Sequence, residues 1–462
     1  MASLLVAAFA QNPVPQIVGP VKPMAVAPGS GGFTLTVYGA NFVPGAVVNW
    51  NYQPRSTTFV SAHELQAQIL ATDVIKNTAG LISVTNPAPG GGNSSAGWAQ
   101  VEVHKPVTTV ALRPPQSYSF GGYLLLPADF NHDGILDLVG QYGDQVVFRP
   151  GNGKGGFPFG SVGGRYYDSS GGAFGDFNGD DNLDLVFAQS LPDHPEVWAS
   201  VTLGDGQGRF KFGGRLSNVN DPTLGAGFIQ AGDFNGDGKL DLAVSDLQGF
   251  SIFLGKGDGT FRHFVDIVDS TPTIAGMLTG DFNGDGKLDI ALLAWGPSSG
   301  TYLYMFLGNG DGTFQAEQTI FASSTILEGG YLQLSDFNAD GNLDLAFRTD
   351  SQICVLLGNG DGTFQLPACH TVGTQFQFTY AIGDINSDGK PDLIVSQFPG
   401  VTDYSLAVLL GNGDGSFQPE QTIATGIPSA ELGVTAGDFN SDGLLDLLFQ
   451  TGLGMDALIQ AH

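Results

Sequence analysis

The sequence predicts an all-β protein in which a small β-sandwich precedes a seven-bladed β-propeller. Three observations carry that expectation. A nine-residue pattern, D-F-N-x-D-G-x-x-D, recurs seven times between Asp129 and Asp446. A glycine-rich turn, LGNGDGTF or a looser version of it, follows most copies. Long amphipathic helical patterns are absent, whereas short alternating runs bounded by turn residues are common.

The copies begin at Asp129, Asp176, Asp233, Asp281, Asp336, Asp384 and Asp438, spaced 47, 57, 48, 55, 48 and 54 residues apart. Each unit reads as four strands. One run enters the motif (331–334), a second leaves it (240–244), a third precedes the glycine turn (407–410) and a fourth follows it (417–423). The Asn-Gly and Asp-Gly pairs of the turn suit backbone positions with positive φ, a strong hairpin signal. Four strands per unit at a period of about 50 residues argue for propeller blades. After the seventh motif only Leu445–Phe449 and Asp456–Gln460 remain as strands, so the last blade is one strand short. The run Val107–Leu112 precedes the first motif and has no blade of its own; pairing it with the last blade closes the ring and removes open edges.

Residues 13–104 lack the repeat and carry alternating strands such as Phe33–Tyr38 and Leu81–Thr85 between Gly/Pro-rich turns, which suits a small β-sandwich. The run Val37-Tyr38-Gly39-Ala40-Asn41-Phe42-Val43-Pro44-Gly45, then Val48-Asn49-Trp50, Val84-Thr85-Asn86-Pro87 and the Gly90–Gly92 turn, resembles the IPT/TIG immunoglobulin-like family. The resemblance implies an immunoglobulin-like sandwich over 13–104 and carries no chemistry. The propeller is expected over 105–462. Before both, residues 1–12 include the apolar run Ser3–Ala10, which ends in a small-x-small site but lacks a basic start. It reads as a truncated signal segment, with a disordered tail as the alternative.

The chain has 462 residues, and 45 acidic against 17 basic side chains give a formal charge of −28. So few basic residues, unclustered, exclude nucleic acid as a natural partner. No apolar run is long enough to span a bilayer. Twenty-one of the 45 acids occupy positions 1, 5 and 9 of the seven motif copies, so the charge is largely a property of the repeats.

Carboxylates at positions 1, 5 and 9 and an amide at 3 converge only if the backbone curls round a point, and glycine at 6 permits the left-handed turn this needs. Three carboxylates, an Asn oxygen, a position-7 carbonyl and water would satisfy Ca²⁺, which takes six to eight hard oxygens; Mg²⁺ demands tighter geometry. An EF-hand is excluded, because position 12 of the third copy is Val244 and strand residues follow position 9. Position 2, Phe in six copies and Ile385 in one, reads as a core side chain. The alternative is a set of Asx-rich turns that cap backbone groups without an ion. Three like charges in one loop repel by a few kcal/mol per close pair at an effective dielectric near 20, and a counter-ion removes that penalty.

The repeats resemble the FG-GAP/VCBS repeats of the integrin α-subunit propeller and of bacterial secreted proteins, over residues of about 105 to 462. That resemblance implies Ca²⁺ in the loop joining the first two strands of a blade, up to seven ions in all. The implied ligands at position 1 are Asp129, Asp176, Asp233, Asp281, Asp336, Asp384 and Asp438; at position 3, Asn131, Asn178, Asn235, Asn283, Asn338, Asn386 and Asn440. Position 5 supplies Asp133, Asp180, Asp237, Asp285, Asp340, Asp388 and Asp442, and position 9 supplies Asp137, Asp184, Asp241, Asp289, Asp344, Asp392 and Asp446. Carbonyls at position 7 belong to Ile135, Asn182, Lys239, Lys287, Asn342, Lys390 and Leu444. The second copy departs from the pattern with Asp181 at position 6, a residue that tolerates positive φ better than most.

With metal loops and glycine turns on one face of the disc, a partner would meet the other. Inserts at Gln189–Glu196, Ala294–Gly300 and Gln397–Asp403 hold or adjoin Trp198, Trp295, Tyr302, Phe398 and Tyr404, which suit a protein or glycan surface or pack between blades. Histidines 63, 104, 132, 194, 263, 370 and 462 form no ligand spacing, and Asp193, Glu420 and Glu431 pair with nothing by sequence, so no catalytic residue is assigned. Cys354 and Cys369 flank one glycine turn and would form a cross-strand disulfide in an exported protein, or remain buried thiols otherwise. The expected function is a secreted or cell-surface calcium-binding propeller for adhesion or recognition of an extracellular protein or glycan. A lectin or polysaccharide-degrading enzyme is the alternative.

Overall fold

The computed structural model of the chain describes residues 11–19, 21–94, 99–118, 126–142, 145–163, 171–188, 197–217, 227–246, 249–268, 273–295, 300–323, 332–349, 352–372, 380–397, 404–427, 433–451 and 454–461. Among them the chain is all β apart from one 3₁₀ turn at Ala71–Val74. The N-terminal segment Ser3–Ala10 lies outside the described residues.

Residues 11–104 form two sheets. Gln16–Ile17, Phe33–Ala40, Glu64–Ile69 and Ser56–Phe59 pair in that order. The second sheet runs Ala25–Val26, Ala99–Val103, Thr78–Asn86, Val47–Trp50 and Gln53–Pro54, with Gly92–Asn93 beside Thr78–Asn86. Alternate side chains of each point inward, and Leu35, Val37, Val48, Trp50, Leu65, Val84 and Val101 make one shared core. This two-sheet unit forms a cap on the repeats.

Among the described residues seven four-stranded antiparallel sheets follow, six of them pairing their strands in chain order. In the third, Ile229–Gly232, Asp241–Ser245, Gly249–Gly255 and Phe261–Val268 run from inside to outside. The two middle strands are buried along their length and are mostly apolar, as strands covered on both faces are. Several outer pairings carry a β-bulge, as between Ile252 and Phe253, which twists the exposed edge.

The last sheet combines Gly433–Gly437, Asp446–Thr451 and Gly454–Leu458 with Gln116–Tyr118 from the start of the repeat region. The closing strand therefore lies beyond the expected Val107–Leu112. Leu112 makes an isolated bridge to Gln460, and Arg113 donates its N–H to the Ile459 carbonyl. Pro114 and Pro115 cannot donate to a ladder, so regular pairing resumes only at Gln116.

Neighbouring sheets are joined by a repeated aromatic contact. The motif Phe of one sheet packs on the Phe after the glycine turn of the next: Phe130 on Phe210, Phe177 on Phe261, Phe234 on Phe314, Phe282 on Phe364 and Phe337 on Phe417, and Phe439 of the last sheet on Phe157 of the first. Ring centroids are 5.5 to 6.1 Å apart. Each such pair is worth about 0.5–1.5 kcal/mol beyond its buried area. The contact from last to first sheet closes the circle.

Inner strands of the sheets surround a cavity of about 570 Å³, walled by side chains such as Phe174, Leu278, Leu334 and Val434, and Gln16, Met24 and Gln100 of the cap close one end. Cys354 and Cys369 sit opposite each other in the fifth sheet and are joined in a disulfide.

Candidate metal centre

The motif folds into a loop held by its own side chains. In the third copy Asp233 Oδ1 accepts the N–H groups of Gly236 and Asp237 at 2.7 and 3.1 Å, and its Oδ2 accepts that of Gly238 at 2.9 Å. Asn235 Oδ1 accepts the Asp237 N–H at 2.8 Å. Every position-7 residue, from Ile135 to Leu444, donates its N–H to the position-5 carboxylate at 2.8 to 3.1 Å. The curl needs left-handed backbone at position 6 and, unanticipated, at position 4. His132, Ala339, Ser387 and Ser441 adopt φ of 56° to 61° there, and Asp181 takes 65° at position 6.

Position 9 is a buried clamp. All seven of these aspartates are fully buried. Their Oδ2 atoms accept the N–H of position 2, and Oδ1 accepts a second N–H from Gly151, Gly204, Gly255, Gly308, Gly358, Gly411 or, in the last sheet, Gln460. The loop is thereby tied to the far end of its own sheet. Burial, offset in part by these N–H groups and reinforced by the other loop carboxylates, pushes Asp137, Asp241, Asp392 and Asp446 up to about 8 and Asp184, Asp289 and Asp344 up to about 7. At position 1 burial raises Asp233 to about 6 and Asp384 and Asp438 to about 7.

The loops offer hard oxygen donors in the number and kind that Ca²⁺ takes. In the second and seventh copies the buried Oδ1 atoms of Asn178 and Asn440 have no hydrogen-bond partner, so an acceptor there awaits a donor or a cation. Among the described residues no three acidic, histidine or cysteine side chains converge tightly enough to cage an ion. The donor chemistry fits; the carboxylates are drawn to backbone N–H groups rather than to a common centre. Position 2 is core throughout, with Phe130, Phe177, Phe234, Phe282, Phe337, Ile385 and Phe439 at most 3% exposed.

The cap lies across this face and touches all seven loops. Tyr52 donates its hydroxyl to Asp129 Oδ2 at 2.7 Å, and the Val14 N–H meets Asp233 Oδ2 at 2.9 Å. His63 Nδ1 lies 2.9 Å from Asp281 Oδ2, and Lys22 Nζ lies 2.5 Å from Asp336 Oδ2. Asn93 donates to Asp181, Ser387 donates to Glu102, and the Asp438 N–H meets Gln100 Oε1. Asn41 bridges two copies, donating its side chain to the Asp233 carbonyl and its N–H to that of Gly286. Burial pulls the His63 pKa down, but its hydrogen bond and charge interaction with Asp281 outweigh this and leave it raised.

Of the histidines, His132 is exposed at the left-handed position 4, and His263 bonds Asp266, which also accepts the Ser251 hydroxyl. Ser251 is fully buried, and Asp266 lies between it and the imidazole rather than behind it, so the trio cannot act as a nucleophile with its base. Trp295 is half-buried against the sheet core, and Tyr302 stacks on Tyr304 at 6°. The insert loops 189–196, 296–299 and 398–403, with Phe398, Asp193, His194, Glu431 and His462, lie outside the described residues, as do the side chains of Trp198 and Tyr404.

Residues 233–292, 281–331, 336–395 and 384–449 match the FG-GAP-like repeat family. Those segments are FG-GAP-like repeats. The four matched segments begin at the third, fourth, fifth and sixth motif copies, and the last of them extends through the seventh; the copies at Asp129 and Asp176 fall outside them. The described residues are all β apart from one 3₁₀ turn, and the matched repeats with their four-stranded sheets support the repeat and propeller class. No curated protein matches the chain. Among solved structures it is similar to a lectin from Agrocybe aegerita that recognises non-reducing terminal N-acetylglucosamine, at 18% identity and a TM-score of 0.49 over 82% of this chain and 96% of that one. It is also similar to an auxiliary nutrient binding protein from Bacteroides thetaiotaomicron, at 11% identity and a TM-score of 0.40 over 97% and 98% of the two chains.

Proposed function

We propose that this protein is a calcium-binding, seven-bladed β-propeller that recognises an extracellular protein or glycan, acting in adhesion or ligand capture from a secreted or cell-surface position. The cap is read as an IPT/TIG-like immunoglobulin-type domain. The observation that carries the calcium reading is the loop itself, repeated seven times: three carboxylates and an amide within nine residues, held on Asx-type turns, with unpartnered buried oxygens on Asn178 and Asn440. The carboxylates at positions 1, 5 and 9 and the amide at position 3, with the position-7 carbonyl, would hold Ca²⁺, and position 9 would also fix the loop from below. Bound, the ion supplies positive charge against three carboxylates; seven ions would halve the formal charge of −28. Because the cap lies over the motif face, recognition is assigned to the opposite face and the rim. No helix among the described residues is long and apolar enough to cross a membrane.

The test is thermal unfolding in EDTA and in excess Ca²⁺. At a hundred times its dissociation constant each independent site adds about 2.7 kcal/mol, so the melting temperature rises steeply with Ca²⁺ and falls on chelation. A melt indifferent to both removes the metal reading. Glycan arrays and panels of immobilised extracellular proteins, probed in Ca²⁺ buffer, test recognition, and a blank on both withdraws that half.

A further inference from the structure

The cap does not treat the seven loops alike. At the first and third copies it offers the position-1 carboxylate a neutral donor, the Tyr52 hydroxyl and the Val14 N–H. At the fifth it offers an ammonium. Lys22 is pinned by its backbone, which exchanges two hydrogen bonds with Thr36 at 2.7 and 2.8 Å. Its side chain passes 5.2 Å from the centre of the Tyr38 ring, and Nζ reaches Asp336 Oδ2 at 2.5 Å. Asp336 is 3% exposed, so this charge pair is shielded from solvent on the carboxylate side. The Tyr38 hydroxyl packs over Gly341, position 6 of the same loop, so ring and ammonium together cover it.

We propose that Lys22 is the resident cation of the fifth loop, standing where the other loops take Ca²⁺. The inference rests on the calcium reading above. An ammonium fixed on the position-1 carboxylate supplies the counter-charge that the loop needs and repels a divalent ion a few ångströms away. The ion pair also anchors the cap to the ring whether or not Ca²⁺ is present.

Bound Ca²⁺ per chain, measured by equilibrium dialysis and elemental analysis on the full chain, tests this. Lys22→Met is expected to bind one ion more than the wild type, and Lys22→Arg the same number as the wild type. Equal counts for wild type and Lys22→Met, with Ca²⁺ bound to both, overturn the role of Lys22 and leave the calcium reading standing. No Ca²⁺ on any of the three overturns the calcium reading and this inference with it. Should Lys22→Met fail to fold, anomalous diffraction from Ca²⁺-soaked wild-type crystals decides: density at the third loop and none at the fifth is expected, and an ion at the fifth overturns the proposal.

Discussion

The side-chain amide of Gln460 donates to the carbonyl of Ile385 at 3.3 Å. At five other junctions the carbonyl of the motif's second residue is met by the N–H of a turn glycine from the next sheet: Phe177 by Gly259, Phe234 by Gly312, Phe282 by Gly362, Phe337 by Gly415 and Phe439 by Gly155. In the last sheet, among the described residues, Gln460 fills the place that a turn glycine takes elsewhere.

Gln460→Ala should therefore weaken the junction between the sixth and seventh sheets. Gln460 is fully buried, and its loss leaves the Ile385 carbonyl unpaired. The expected cost is about 1–3 kcal/mol. Urea unfolding of the full chain measures it, and an unchanged midpoint would show that the ring closes without this latch.

Position 9 should prove more costly to remove than position 5. Asp241 accepts the N–H groups of Phe234 and Gly255, and Asp241→Ala strands both in the interior at about 1–3 kcal/mol each. Asp237 accepts the N–H of Lys239 nearer the surface, so Asp237→Ala should cost less when both are unfolded in EDTA. Equal losses would contradict the clamp.

Metal-free protein should gain stability on mild acidification. The position-9 carboxyls hold folded values of about 7 to 8 against an ordinary 3.8. Groups raised on folding contribute stability that is complete below the unfolded value and lost as pH rises through the folded one. In EDTA the melting temperature should climb as pH falls from about 8.5 to 6, and Ca²⁺ should flatten the profile by favouring the charged loops. A melting temperature in EDTA that is highest at the alkaline end would contradict the burial of these groups as the dominant effect.

What the sequence made legible was what repeats. Seven copies at a near-constant period expose the strand count, the core role of position 2 and the need for closure, because each copy repeats the same local physics. Position 4 hid its left-handed backbone behind four residue types, Gly, Ala, Ser and His, of which only glycine signals positive φ. The clamp at position 9 hid because the letter of an aspartate does not tell that its oxygens also serve buried backbone N–H groups. The cap's grip was invisible for a different reason. Its contacts join residues as distant as Gln100 and Asp438, each of the seven uses a different cap residue, and no period connects them. The closing strand was displaced by Pro114 and Pro115, whose missing donors set where pairing resumes.

The cap has an implication for how this chain is able to change over evolutionary time. Repeat proteins ordinarily gain and lose modules by unequal duplication, since each module needs only a neighbour like itself. Here each loop answers to a different residue of one asymmetric lid: Tyr52, Asn93, Val14, His63, Lys22, Glu102 and Gln100. An eighth module would find no seat, and a sixfold ring would leave a seat empty. The lid works as a gauge, turning seven near-identical parts into seven addressed positions that can no longer be exchanged.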